Sequence, residues 1–266
     1  MPRLGVVLTS ILAALGVVLG MPPAASAGAS PVPGGGVVSI NLCTDELLLT
    51  LAPERAVAVS PLAADPALSV VAAAARRLPV ARPEAEAVLA FHPDLVLGGA
   101  FGAQTTLALL AESGVRVARV GMPQDFPAIA AELTRLGDLL GVPDRAAALV
   151  ATLRTRLAAL PAGRDRGPAL VLQARGWTAG PGTLDDAVLR AAGWRNAGTG
   201  GQIGLEALLA HPPALLVTAT ASHFPSLATD FVRHPALASL PRREIPSPLT
   251  LCAGPWTVEA AEILAR

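Results

Sequence analysis

The chain contains no lysine and no tyrosine, and only eight of its 266 residues are aromatic, three Trp and five Phe. Without lysine there is no phosphate-gripping P-loop, because that motif needs a lysine to reach the phosphates. All the cations are arginines; they are scattered, as base-composition bias in the source genome would leave them, and twenty acids balance them to a net charge of zero. Electrostatic capture of nucleic acid therefore has no support. Charged residues make up 15% and apolar residues 52%, which excludes general disorder. Also missing are a Gly-x-Ser-x-Gly elbow and a His-Glu-x-x-His zinc helix. The glycine cluster at 198–204 lacks the spacing of a dinucleotide fingerprint. The four histidines show no four-ligand metal spacing.

What the chain does have is a repeated sentence. Glu86-Ala87-Val88-Leu89-Ala90-Phe91-His92-Pro93-Asp94-Leu95-Val96-Leu97 returns as Glu206-Ala207-Leu208-Leu209-Ala210-His211-Pro212-Pro213-Ala214-Leu215-Leu216-Val217, with six of twelve positions identical at an offset of 120. Each copy reads as a short helix stopped by proline and followed by an all-apolar run. Such a run fits a parallel strand covered on both faces, which shows no alternation. Two copies so far apart predict two similar α/β lobes, each with its own core of roughly 100 residues.

Residues 1–27 read as a leader. Arg3 supplies the positive start, the stretch 4–20 is apolar, and Ala25-Ser26-Ala27 is a small-x-small cleavage site. The apolar stretch is shorter than the ~20 residues of a spanning helix, and Pro22-Pro23 ends it. The mature protein is expected to be exported and periplasmic, with cleavage near Ala27. Residues 28–36, rich in Gly, Ala and Pro, form a flexible entry segment.

From residue 37 strands and helices alternate, as a parallel sheet with right-handed crossovers requires. The first lobe, 37–125, predicts strands at 37–41, 56–59, 95–97 and 115–120, with a helix at 44–51 capped by Thr44. The stretch 126–160 is helical. Ile129, Leu133, Leu136 and Leu140 form one stripe, and Leu149, Leu153, Leu157 and Leu160 another, with Gly141 as a stop. A helical connector is stiffer than a looped hinge, so large lobe closure is not expected. The second lobe, 161–266, predicts strands at 169–173, 215–218 and 243–245. Thr183 and Asp186 form a capping-box variant at the head of a helix.

In this order the elements resemble the periplasmic substrate-binding proteins of ABC importers for cobalamin, ferric siderophores and haem. The matching residues are Asn41-Leu42-Cys43-Thr44-Asp45-Glu46-Leu47, Val59-Ser60-Pro61, the block 89–97, Thr178-Ala179-Gly180 with its helix, and Gly254-Pro255. The resemblance spans 37–266. It implies two Rossmann-like α/β lobes with mostly parallel sheets, bridged by a long linker helix. It also implies a metal-chelate or corrinoid ligand held between the lobes and delivered to an inner-membrane ABC permease by a monomer that performs no catalysis and keeps no cofactor. Family members dock the permease through one acid on each lobe. Here the first falls near Gln104 and the second stretch, 222–227, has none, leaving Glu112 or Asp230 as substitutes. A chelatase-like enzyme and a ligand-sensing interaction module on the same fold are the alternatives.

Ligands in open α/β sheets sit beyond the carboxyl ends of the strands. That rule selects the loops 42–44, 60–65, 98–103, 174–182 and 219–224, and the resemblance adds 249–256. Thr44, Ser60 and Leu62 lie in the first two. Arg175 offers a fork for an anionic group, and Trp177 falls where the family places a cleft aromatic. Phe101 and Phe224 are candidates to grip a planar ligand, and His223 is a candidate axial ligand to iron or cobalt. Cys43 and Cys252 fall in cleft loops of opposite lobes. In an oxidising compartment they form a disulfide, remain free thiols or touch the ligand.

Overall fold

The computed structural model describes residues 36–161, 163–220 and 227–266. The leader at 1–27, all but the last residue of the entry segment, and the candidates His223 and Phe224 lie outside the described residues.

Two separate four-stranded sheets form, each wholly parallel. The first holds β1 (Val37–Ser39), β2 (Ala56–Ala58), β3 (Leu95–Gly99) and β4 (Arg116–Val120) in the order β2-β1-β3-β4. The second holds β5 (Pro168–Val171), β6 (Arg195–Asn196), β7 (Leu215–Ala219) and β8 (Arg242–Ile245) in the order β6-β5-β7-β8. The order is the same in both, and β3 and β7 begin at residues 95 and 215, the offset of the sequence repeat. Even the strand entry repeats: the Asp94 N–H donates to the Gly36 carbonyl at 2.9 Å, and the Ala214 N–H to the Pro168 carbonyl at 2.8 Å.

Helices α1 (Leu42–Leu51), α2 (Ala72–Ala75), α3 (Ala85–Leu89) and α4 (Gln104–Glu112) serve the first lobe. The second has α7 (Leu184–Ala191), α8 (Leu205–Ala210), α9 (Leu227–Asp230), α10 (Pro248–Leu251) and α11 (Thr257–Ala265). Between them run α5 (Phe126–Leu140) and α6 (Pro143–Ala158). The bridge is thus built as two helices, turning where Gly141 takes the left-handed conformation at φ 72° and Pro143 opens the next helix. They press together at Gly137, where a side-chain carbon would sit 2.3 Å from the Ala146 methyl.

The core explains why the strands show no alternation. Leu95 and Leu97 of β3, and Leu215 and Val217 of β7, face one cluster shared by α1, α5, α6, α7 and α11. Val96 and Leu216 face separate outer clusters covered by α4 and α8. Both faces of each strand are buried. The bridge is also tied to each lobe by polar contacts. Arg55 donates to the Leu140 carbonyl at 2.8 Å, and Arg145 to the Leu51 carbonyl at 2.6 Å. On the other side, Arg156 holds Glu262 of α11 with two bonds of 2.7 Å.

One boundary moves relative to the sequence expectation. Helix α1 starts at Leu42, and Asn41, not Thr44, caps it by accepting the Cys43 N–H at 3.0 Å. Thr44 sits inside the first turn and turns its hydroxyl back to the Asn41 carbonyl at 2.8 Å. Both residues are good caps, and β1 ends close enough to the helix for the earlier one to serve.

Candidate functional site

The carboxyl ends of both sheets point into one shared cavity. The first lobe contributes the head of α1 and the turn after β4, from Gly121 to Gln124. The second contributes the segment after β5, the head of α7 and the end of α10. The cavity measures about 320 Å³. Part of its lining is covalent: Cys43 and Cys252 are bonded to each other across 209 residues of sequence, joining one lobe to the other. Of the alternatives open for these two cysteines, the structure selects the disulfide.

The rim of the cleft is apolar. Nine large hydrophobic residues are exposed among the described residues, and five of them, Leu62, Phe101, Met122, Trp177 and Leu251, stand on segments that follow strand carboxyl ends. Isolated exposed hydrophobics are ordinary, but their concentration at one end of both sheets marks a surface meant to be covered. Phe101 is 74% exposed and Trp177 48% exposed. Tight backbone holds the Trp177 loop in place. Gly176 has φ 77°, and a side chain there would meet the Ile203 carbonyl at 2.7 Å. Arg175 itself adopts a left-handed φ of 58°, an unfavourable state for a residue with a side chain.

The other expected residues divide into surface and floor. Leu62 and Arg175 are exposed, and neither they nor Phe101 and Trp177 line the shared cavity. Thr44 and Ser60 are buried beneath the cleft, and their hydroxyls are already engaged. Thr44 bonds Ser39 at 2.6 Å, while Ser60 gives both its N–H and its hydroxyl to Asp45. These two residues build the floor of the first lobe around a pair of buried acids. Burial pushes the Asp45 carboxyl up to about 6, although bonds from Ser39 and Ser60 pull it down. Burial likewise pushes Glu46 up to about 8. The Val70 N–H at 2.8 Å opposes that shift, and the Asp45 charge adds to it.

Two parts of the cavity escaped sequence reasoning. The turn after β4, 121–124, obeys the same strand-end rule as the selected loops, so the signal was present. Asp185 had no such signal. It sits beside Asp186 in the first turn of α7, and sequence alone does not say which one turns inward. In the structure Asp186 bends back to the Gly182 N–H at 3.0 Å, whereas Asp185 lines the cavity and accepts from Gln173 Nε2 at 3.2 Å. Burial raises the Asp185 carboxyl above the usual range, and the Gln173 bond opposes this. Among the described residues no three His, Cys, Asp or Glu side chains converge as a metal site. Also among them, no helix is long and apolar enough to cross a membrane.

Paired parallel sheets, a helical bridge and a cavity between facing strand ends define a two-lobed α/β binding protein. The profile of the periplasmic binding protein family matches residues 37–241. The chain belongs to that family, whose members are periplasmic solute-binding proteins. No curated relative matches the sequence. Among solved structures, a periplasmic haem-binding protein from Pseudomonas aeruginosa is 27% identical at a TM-score of 0.68, over 86% of this chain and 91% of that one. The periplasmic haem-binding protein RhuT from Roseiflexus sp. RS-1, in apo form, shares the fold at 23% identity and a TM-score of 0.69, covering 88% and 98%. The periplasmic vitamin B12-binding protein BtuF of Vibrio cholerae shares it at 16% identity and 0.63, covering 87% and 95%.

Proposed function

We propose that this chain is the substrate-binding component of an ABC importer. It is exported to the periplasm with its leader removed near Ala27, and it captures a metal chelate or corrinoid between its lobes. It acts as a monomer, releases its cargo chemically unchanged to the inner-membrane permease, and keeps no cofactor of its own. The observation that carries this reading is the shared cavity with its apolar rim. A planar macrocycle or chelate shell offers a broad apolar face, and Leu62, Phe101, Met122 and Trp177 stand where such a face would rest. The haem and B12 proteins with which the chain shares its fold support the same ligand class.

Docking to the permease proceeds here without an acid at the start of α4. Gln104 fills that place as a neutral amide, donating to the Gly99 and Gly102 carbonyls at 3.1 and 2.9 Å and accepting from Arg119 at 3.0 Å. Glu112 stands at the opposite end of the same helix, and Asp230 ends α9.

Trp177 provides the test. Its fluorescence should be quenched saturably, at one equivalent, by at least one of haem, a ferric hydroxamate siderophore and cobinamide, and the added compound should be recovered intact. Absence of binding by all three, or conversion of any, would overturn the proposal.

A further inference from the structure

The interlobe cavity has a one-sided charge character. Its described lining contains a single charged side chain, Asp185. Two neighbouring hydroxyls turn their hydrogens toward the protein. The Thr178 hydroxyl donates to the Gly201 carbonyl at 2.9 Å, and the Thr183 hydroxyl to the Gly180 carbonyl at 2.8 Å. A hydroxyl has one hydrogen, so neither has one left for a ligand. Gln124 commits an amide hydrogen to the Met122 carbonyl at 3.0 Å, and Gln173 commits one to Asp185 at 3.2 Å. The head of α7, otherwise a place for an anion, is partly occupied by its own side chains. Thr183 accepts the Asp186 N–H at 3.3 Å, and the Asp186 carboxylate accepts the Gly182 N–H. Arg175, the cation on the neighbouring loop, does not line this cavity.

What the lining offers a ligand is one anionic group, Asp185, beside the neutral amides of Gln173 and Gln124, each with a carbonyl oxygen and a second N–H, and the Thr250 hydroxyl; among the described residues no cation lines it. A carboxylate with no lining cation to balance it repels the carboxylate of a ligand. Bringing such an anion beside it out of water leaves two like charges without a counterion, which is the costly case for a buried charge. Amide or amine N–H groups meet the opposite situation.

From this geometry we infer that Asp185 is a specificity-determining residue. With Gln173 it selects cargo that presents neutral or cationic N–H donors to the second lobe, and it rejects cargo whose inward edge carries carboxylates. This inference rests on the reading of the cleft as a cargo site and narrows that site's ligand chemistry.

A matched pair of probes isolates the effect: iron protoporphyrin with its two propionates, and the same compound with both propionates converted to primary amides. Ring, metal and apolar face are identical in the two. Cobinamide, which carries peripheral amides, serves as a third probe. The wild-type protein should bind the bis-amide at least tenfold more tightly than the diacid. Asp185→Asn should shrink that ratio at least fivefold, mainly by improving diacid binding, and Asp185→Glu should largely preserve it. The wild-type ratio stands on its own if the Asn variant does not fold. Equal wild-type affinities, or a ratio unchanged in a folded Asn variant, would overturn the role of Asp185 while leaving the cargo site intact. No saturable binding of any of the three compounds would overturn this inference, and failure of a ferric hydroxamate siderophore as well would remove the cargo site.

Discussion

Asp45 and Glu46 are adjacent, fully buried and placed under the cleft, so the first lobe carries two carboxyls that resist ionisation. Their folded values, about 6 and about 8, lie above the ordinary 3.8 and 4.5, so the native state binds protons more tightly than the unfolded chain. Stability is therefore lost as pH rises through this window, not as it falls. Glu46→Gln removes the more strongly shifted group. Its advantage over the wild type should be absent below about pH 4.5, grow above it, and reach about 2 kcal/mol or more at pH 8.5. Urea titrations of both proteins at pH 4.5, 6.5 and 8.5 check this; a constant offset at all three would show that Glu46 does not titrate in that range. At Arg175, truncation to Ala should weaken an anionic compound resting on the rim by about 1–3 kcal/mol if the guanidinium touches it, and unchanged affinity in a fluorescence titration would remove Arg175 from the site. Which residues lie on loops beyond strand ends was legible in the sequence, as Trp177 and Phe101 show. How far each is exposed was not, because Thr44 and Ser60 also follow strand ends yet turn their hydroxyls inward to Ser39 and Asp45. The inward turn of Asp185 is set by Gln173, a residue 12 positions away that only the fold brings beside it.

The helical bridge is the element on which lobe geometry depends, and Gly137 is its tightest point. With the prospective side-chain carbon 2.3 Å from Ala146, Gly137→Ala must push α5 and α6 apart. A loss of about 1–3 kcal/mol is expected in chemical denaturation, the usual cost of overpacking. Adding Ala146→Gly should return much of it, because the clash is pairwise; independent, additive losses would place the strain elsewhere. The bridge was readable as two apolar stripes around a Gly141 stop, since helical periodicity survives wherever one face is buried. The paired strands β3 and β7 were equally readable, as burial of both faces forces continuous apolar runs. The start of α1 was less so: Asn41 and Thr44 are both competent caps, and the choice depends on where β1 ends. The two-residue strand β6 left no pattern long enough to detect.

At the scale of the whole molecule, two devices set the distance between the lobes: the α5–α6 bridge on one side and the Cys43–Cys252 bond on the other. Replacing both cysteines with serine should cost about 5 kcal/mol if the chain-entropy account holds for so long a loop. The variant should melt well below the oxidised protein. With both devices in place, cargo has little room to drive closure, so the radius of gyration in small-angle scattering should not change when a bound compound is added. A marked contraction would show that the lobes hinge despite the bond. The duplication itself was visible in the sequence because both copies kept the same helix–proline–strand phrase; the covalent link was not, since two cysteines in cleft loops also suit free thiols. The proposed function requires a pocket that carries and does not convert. Native mass spectrometry of the protein taken from its own periplasm tests this most directly. It should find one small molecule per chain, released on mild denaturation with the mass of an intact chelate or corrinoid. A protein recovered uniformly empty from cargo-replete cells, or holding a chemically altered product, would contradict it.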